Sequence, residues 1–213
     1  MSRHGRNFTQ LAFTDAVKAT QACYGARAHA ARLETEGPAN TVLTPRLLAM
    51  TEACDSFFVA SAAPHGWPHV QHRGGPPGFL KALDATTLAF GDFDGNRQFI
   101  TLGNIAANPL VVLLLIERAT RRRLKLWARA EVIDDAALLA RLDDPGYPAR
   151  ARRAVLLHLH AWDINCPQHI PRLDPAADLC IGSQASSRMG SQRSVPVDYE
   201  VTASATRAPA RDR

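Results

Sequence analysis

The sequence lacks several features that would place it in a common class. It has four cysteines and no Cys-x-x-Cys pair, so its cysteine usage predicts free thiols in a reducing compartment and no zinc site. The longest uncharged apolar run is residues 109–116, whereas a membrane-spanning helix needs roughly 20 residues. No apolar signal core follows the first residues, which favours a cytoplasmic location.

Aromatic residues are few, at 7%, and basic residues outnumber acidic ones. Twenty-five Lys and Arg against 20 Asp and Glu give a net charge of +5, and the isoelectric point is about 9.4. Such a balance suits either nucleic acid or a phosphate-bearing small ligand. The 213 residues are enough for one domain with a full hydrophobic core.

Hydrophobic spacing predicts helices first and strands afterwards. Residues 15–34 have the pattern of one helix, and Thr44 caps a second helix that ends near residue 54. The predicted strands are 57–62, 68–73, 87–90, 109–116, 122–133 and 154–162. The predicted helices between them are 97–107 and a short helix that ends near 142. Strand 109–116 lacks alternation, so we expect it to be buried on both faces.

This order of elements predicts a mainly β fold with α-helices, a small antiparallel barrel with helices packed on its outside. We expect an N-terminal helical segment at 1–55 and the barrel at 56–172. Residues 173–213 are rich in Ser, Ala, Arg, Asp and Pro, a composition typical of a disordered tail.

Two short segments carry the chemistry of a phosphate site. In 72–78, paired glycines permit close approach of a ligand, and Arg73 offers a planar guanidinium. In 94–98, Asn96 as a helix N-cap would leave backbone N–H groups facing an anion, with Arg97 and Gln98 as further donors. From the residues alone, a barrel corner with a solvated arginine and an ordinary capped helix remain open.

Other candidate sites are weaker. The basic run at 121–129 is divided between two strand faces and has Trp127 as the one aromatic on its charged face, which favours a solvated face over nucleic-acid binding. The histidine pairs at 69 and 72, and at 158 and 160, have no further ligands at a telling spacing, so no metal site is expected.

Taken together, these segments resemble the FMN-binding split-barrel family of pyridoxamine 5'-phosphate oxidase-like proteins. The resemblance covers residues 57–132 and extends more loosely to 170. The segments that carry it are 57–62, 65–70, 73–75, 88–90, 95–98, 104–109 and 122–131. Segments 72–79 and 162–169, together with the N-terminal helix, are similar to one branch of that family. The resemblance implies a split antiparallel β-barrel, a homodimer, and FMN at the subunit interface.

The resemblance also directs attention to two groups of cofactor-binding residues. The group expected at the flavin phosphate is Gln71, His72, Arg73, Gly74, Gly75, Asn96, Arg97 and Gln98. At the flavin ring, the resemblance implies a polar side chain from the fifth strand, which Arg123 or Lys125 matches best. We also expect Trp162, Gln168 and His169 to line the reactive face of the ring and to reach the neighbouring subunit's cofactor. For the last three, the alternative is a strand end at which Trp162 packs on helix 15–34 and His169 is solvated.

The function that the resemblance implies is that of an FMN-dependent oxidoreductase acting on a small organic substrate. Arg73 and Arg123 would supply charge, and no residue is assigned as a catalytic nucleophile. The oxidase itself has Leu-Leu-Lys where this chain has Gly74-Gly75-Pro76, and no Arg-x-His-x-Arg follows His169, which argues against vitamin B6 as substrate. The alternatives are a flavin-storage protein, a deazaflavin- or haem-binding split barrel, and a nucleic-acid binder.

Overall fold

A computed structural model describes residues 7–171 of the chain. Within that range the helices are α1 (Thr9–Ala12), α2 (Asp15–Cys23), α3 (Arg27–Glu36), α4 (Pro45–Glu52), α5 (Ile100–Ala107) and α6 (Ala136–Leu142). The strands are β1 (Ser56–Ala62), β2 (Pro68–Gly74), β3 (Lys81–Ala82), β4 (Thr87–Phe93), β5 (Leu110–Glu117), β6 (Arg122–Ile133) and β7 (Ala151–Asn165). The predicted tail at 173–213 lies outside the described residues.

The strands of residues 7–171 form one antiparallel sheet in the order β2-β1-β5-β6-β7-β4-β3. The sheet is strongly curled, because Phe57 on β1 makes an edge contact with Phe90 on β4, with 5.2 Å between the ring centres, although three strands separate β1 from β4. Strands β2 and β3 remain the edges, so the barrel is split. This is the predicted architecture, with the short strand β3 as an addition.

The core fills the concave face of the sheet. Alternate residues of β1, β5 and β6 point into it, among them Phe57, Leu113 and Leu126, each at most 1% exposed. The prediction that strand 109–116 is buried on both faces is wrong for this chain by itself. Its other face is partly open, with Leu110 at 58% and Ile116 at 38% exposure. On that convex face, Phe8 stacks on Trp127 of β6 with 5.8 Å between the ring centres, and Leu11 of α1 lines an apolar cavity with Leu110 and Val112. The N-terminal segment thus covers part of this face.

The predicted helix at 15–34 is two helices. Gly25 has a φ of +71°, a left-handed conformation that glycine adopts without steric cost, and the helical hydrogen bonds are interrupted there. The start of α4 is as predicted, since the hydroxyl of Thr44 accepts a hydrogen bond from the backbone N–H of Leu47. No helix in the described range is long and apolar enough to cross a membrane.

Candidate functional site

A cavity of about 370 Å³ opens at the split, between the ends of β2 and β4 and the start of α5. Seven of the eight residues predicted at the flavin phosphate line this cavity. They are Gln71, His72, Arg73, Gly74, Asn96, Arg97 and Gln98. Gly75 packs against the ring of Phe79, leaving 2.8 Å between that ring and the position of an added Cβ. The curl of the sheet therefore brings together two segments that lie more than 20 residues apart in the chain.

Strand alternation decides which side chains of β2 face the cavity. Gln71 and Arg73 are partly buried and share one face of the strand, whereas His72 is exposed on the other face. The His72 ring packs edge-on against Phe58, with 5.5 Å between the ring centres. Of the predicted residues on β2, Arg73 is thus the cation that faces the cavity.

A buried carboxylate bridges the split. Asp92, near the end of β4, is 4% exposed. Its Oδ1 lies 2.9 Å from the NH1 atom of Arg73, and its Oδ2 lies 3.2 Å from the NH1 atom of Arg153 on β7. Two arginines and one carboxylate leave this cluster with a formal charge of +1. The Arg73 side chain is 21% exposed and lines the cavity, where it can also meet an anionic ligand. Its Nε atom is buried and has no hydrogen-bond partner within residues 7–171.

The start of α5 forms the opposite wall of the cavity. Helix 97–107 was predicted with Asn96 as its N-cap, and this is wrong. The helix begins at Ile100, and its N-cap is Phe99, which has a φ of 54° and gives no side-chain cap. The Oδ1 atom of Asn96 instead accepts from the backbone N–H of Gln98, at 3.2 Å. Arg97 also has a positive φ, of 59°, and such left-handed residues interrupt a helix.

The uncapped helix start is suited to an anion. The first backbone N–H groups of a helix have no partner inside the helix, and its N-terminus carries partial positive charge. Residues Phe99 to Leu102 line the cavity, and Thr101 among them is 3% exposed and brings a hydroxyl group. This arrangement of N–H donors, a hydroxyl and the Arg73 guanidinium can bind a phosphate.

Sequence reasoning missed four residues of this region, namely Asp92, Thr101, Tyr147 and Arg153. Asp92 was assigned to a turn, but it belongs to β4. A carboxylate next to buried apolar residues is stable only when it is paired, and this was a signal that could have identified it. The contribution of Arg153 depends on a contact between residues 61 positions apart.

The group predicted at the flavin ring lies elsewhere in the chain. Arg123 and Lys125 point to the convex face of β6, opposite the buried Leu124 and Leu126. Strand β6 lies three strands from β2 in the sheet, a distance of about 14 Å. None of Arg123, Lys125, Trp162, Gln168 and His169 lines the cavity at the split.

Three of these side chains, Arg123, Lys125 and Trp162, make hydrogen bonds or ion pairs within the chain. The NH2 atom of Arg123 donates to the carbonyl of Cys166 at 3.0 Å, and the Nζ atom of Lys125 lies 3.3 Å from a carboxylate oxygen of Asp163. The indole N–H of Trp162 donates to the carbonyl of Val42 at 2.9 Å. His169 has a φ of 63°. One chain therefore does not unite the two predicted groups in one cavity.

No described thiol lies in the cavity. Burial raises the pKa of the Cys54 thiol above its usual value, so this group stays protonated within the core. Within residues 7–171, no three His, Cys, Asp or Glu side chains cluster as metal ligands.

Comparison with known proteins identifies the family to which the chain is similar. Residues 43–166 match the model of the pyridoxamine 5'-phosphate oxidase family, whereas the comparison with curated proteins gives no match. Among solved structures, HupZ of Group A Streptococcus is 15% identical, with 62% of this chain and 99% of that chain covered and a TM-score of 0.48.

Two further solved structures are similar to this chain. A putative pyridoxamine 5'-phosphate oxidase from Lactobacillus delbrueckii is 20% identical, with 58% of this chain and 94% of that chain covered and a TM-score of 0.45. An F420 reductase is 23% identical, with 54% of this chain and 94% of that chain covered and a TM-score of 0.41. The family model spans more than half of the chain, which confirms the family predicted from the sequence. The chain belongs to the pyridoxamine 5'-phosphate oxidase family.

Proposed function

We propose that the chain binds FMN at the split and acts as a homodimeric oxidoreductase on a small organic substrate. The observation that carries this proposal is the meeting of Arg73 and the uncapped start of α5 in one cavity. A flavin mononucleotide has one phosphate group, and the cavity presents the donors that a phosphate requires. Membership of the pyridoxamine 5'-phosphate oxidase family supports the assignment to a flavin.

The charges around the cavity fit a bound phosphate. Asp92 would repel an anion if it were alone, but Arg73 and Arg153 neutralise it on both oxygens. The partly exposed Arg73 and the hydroxyl-bearing Thr101 both line the cavity and would donate to the phosphate. Bound FMN would supply the redox chemistry, while the residues of the chain bind and orient it.

A homodimer would bring together the two predicted groups. The residues expected at the phosphate lie at the split, whereas Arg123 and Lys125 lie on the convex face of β6, three strands from β2 and two from β4. Between them, the convex face exposes apolar side chains of β1 and β5, including Phe58, Leu110 and Ile116. A second copy packed on this face would cover them and would bring its Arg123 and Lys125 toward the first copy's cofactor.

The binding experiment compares FMN with riboflavin, which lacks the phosphate. We expect the apo-protein to bind FMN about 100-fold more tightly, the contribution of two charge-assisted hydrogen bonds. Arg73→Met should remove most of this preference. Arg118→Met is the matched control, because Arg118 is an exposed arginine that pairs with Asp55 at 3.7 Å, and its preference should be unchanged. Equal affinities of the wild-type protein for FMN and riboflavin would overturn the proposed site.

A second experiment separates an oxidoreductase from a flavin-storage protein. FMN-loaded protein is mixed anaerobically with NADH or NADPH, and the visible flavin absorbance is followed. Bleaching that recovers on admission of oxygen is expected for the oxidoreductase. FMN binding without bleaching by either donor would instead favour storage.

A further inference from the structure

Arg153 contacts both walls of the cavity without lining it. On one side, its NH1 atom lies 3.2 Å from the Oδ2 atom of Asp92. On the other, its guanidinium carbon lies 5.2 Å from the centre of the Phe99 ring. Asp92 pairs with Arg73, and Phe99 is the N-cap of helix α5. A single side chain on β7 thus connects the two elements that would hold the phosphate.

The contact with Asp92 determines how much charge Arg73 can offer. With Arg73 as its only partner, the Asp92 carboxylate would neutralise that guanidinium, and the pair would have no net charge. Because Arg153 pairs with the second carboxylate oxygen, the cluster keeps a formal charge of +1. Arg73 is then held in place by Asp92 and still attracts an anion.

The contact with Phe99 holds the start of α5. A left-handed backbone is unfavourable for a bulky aromatic residue, so its neighbours must stabilise it. The Arg153 guanidinium over the Phe99 ring is a favourable cation–π contact. It fixes the residue from which the free N–H groups of α5 extend toward the cavity.

We propose that Arg153 is a positioning residue for the anion, acting on Arg73 through Asp92 and on the start of α5 through Phe99. The inference rests on the proposed function. The quantity that tests it is the dissociation constant of riboflavin divided by that of FMN, because this ratio reports the contribution of the phosphate to binding. A general loss of structure would weaken the binding of both ligands and would leave this ratio unchanged.

The test measures that ratio, by quenching of flavin fluorescence, in Arg153→Met, Arg153→Lys and Arg118→Met. Arg153→Met should lower the ratio by about tenfold. Arg153→Lys keeps the charge beside Asp92 and should restore part of the ratio. Arg118 is the control here as well, since its 62% exposed side chain pairs with Asp55 away from the cavity, and its replacement should leave the ratio unchanged.

The outcomes distinguish this inference from the proposed function. A wild-type preference for FMN that persists in Arg153→Met overturns the inference alone. A wild-type protein without that preference overturns both. If Arg153→Met does not fold, Arg153→Gln decides, because its side-chain amide can still donate to Asp92 but carries no charge. A lowered ratio in Arg153→Gln supports the inference, and a wild-type ratio overturns it.

Discussion

At the scale of single residues, the contacts around Asp92 determine the chemistry of the cavity. Its carboxylate is nearly inaccessible and lies between two guanidinium groups. Arg73 was predictable, because a paired-glycine loop after a strand is a local signal. The two ion pairs were not predictable, because Arg73, Asp92 and Arg153 lie on three strands, and periodicity in one strand carries no information about another.

Gly91, the residue before Asp92, is required for the approach of β7. A Cβ at this position would lie 2.6 Å from the Cβ of Ala151, so Gly91→Ala should force the strands apart and lower the free energy of unfolding by about 1–3 kcal/mol. Gly95→Ala is the control, since a Cβ there meets nothing within 4 Å. Urea unfolding of the two variants provides the measurement, and similar stabilities would contradict the steric explanation.

At the scale of elements, local patterns predicted most of the sheet and less of the helices. Strand β6 has the bounds that its alternation predicts, 122–133. In contrast, residues 15–34 have the composition of a continuous helix, and the single Gly25 was outweighed by its helix-forming neighbours. The late start of α5 arises from left-handed residues at 97 and 99. Neither position is a glycine, so no residue type indicated it.

Helix α5 is fixed to the sheet by one buried amide. The Nδ2 atom of Asn104 donates to the hydroxyl of Ser61 on β1 at 3.0 Å, and both side chains are buried. Asn104→Ala leaves that hydroxyl without its donor and should reduce the free energy of unfolding by about 1–3 kcal/mol.

Gly103→Ala is the control on the same helix. A Cβ there has open space around it, and alanine is the better helix former by up to about 1 kcal/mol. Thermal unfolding should therefore show a lower midpoint for the Asn104 variant and an equal or higher midpoint for the Gly103 variant. A lower midpoint for both would place the loss in the helix as a whole and would contradict a role for the amide.

At the scale of the whole molecule, the concave face of the sheet is buried in the core, whereas the convex face exposes apolar side chains. The core needs nothing beyond one chain, whereas β5 exposes Leu110 and Ile116 on the other side. The sequence-based prediction of burial on both faces of that strand would be fulfilled only in the proposed dimer. The proposed homodimer would thus explain why this run is uniformly apolar.

A charge on the convex face tests this assembly. We expect a solution mass near twice 23.2 kDa for the wild-type protein, and Ile116→Arg should shift it toward the monomer, because the new charge would lie beside Arg123, its cross-strand neighbour, and would be costly to bury at an interface. Tyr24→Arg is the control, as Tyr24 is 82% exposed on the outside of the helical segment. Light scattering over a range of concentrations is the measurement. A monomeric wild-type protein would contradict the proposed homodimer.

The open edge of the sheet also has a dynamic consequence. Where β2 and β4 approach each other, side chains join them through Arg73 and Asp92, and no ladder of backbone hydrogen bonds crosses the gap. Widening the gap therefore breaks an ion pair and leaves every strand pairing in place. Regions held in this way open with less free energy than the global unfolding transition. If FMN binds at the split as we propose, its entry and release would need only such a local opening.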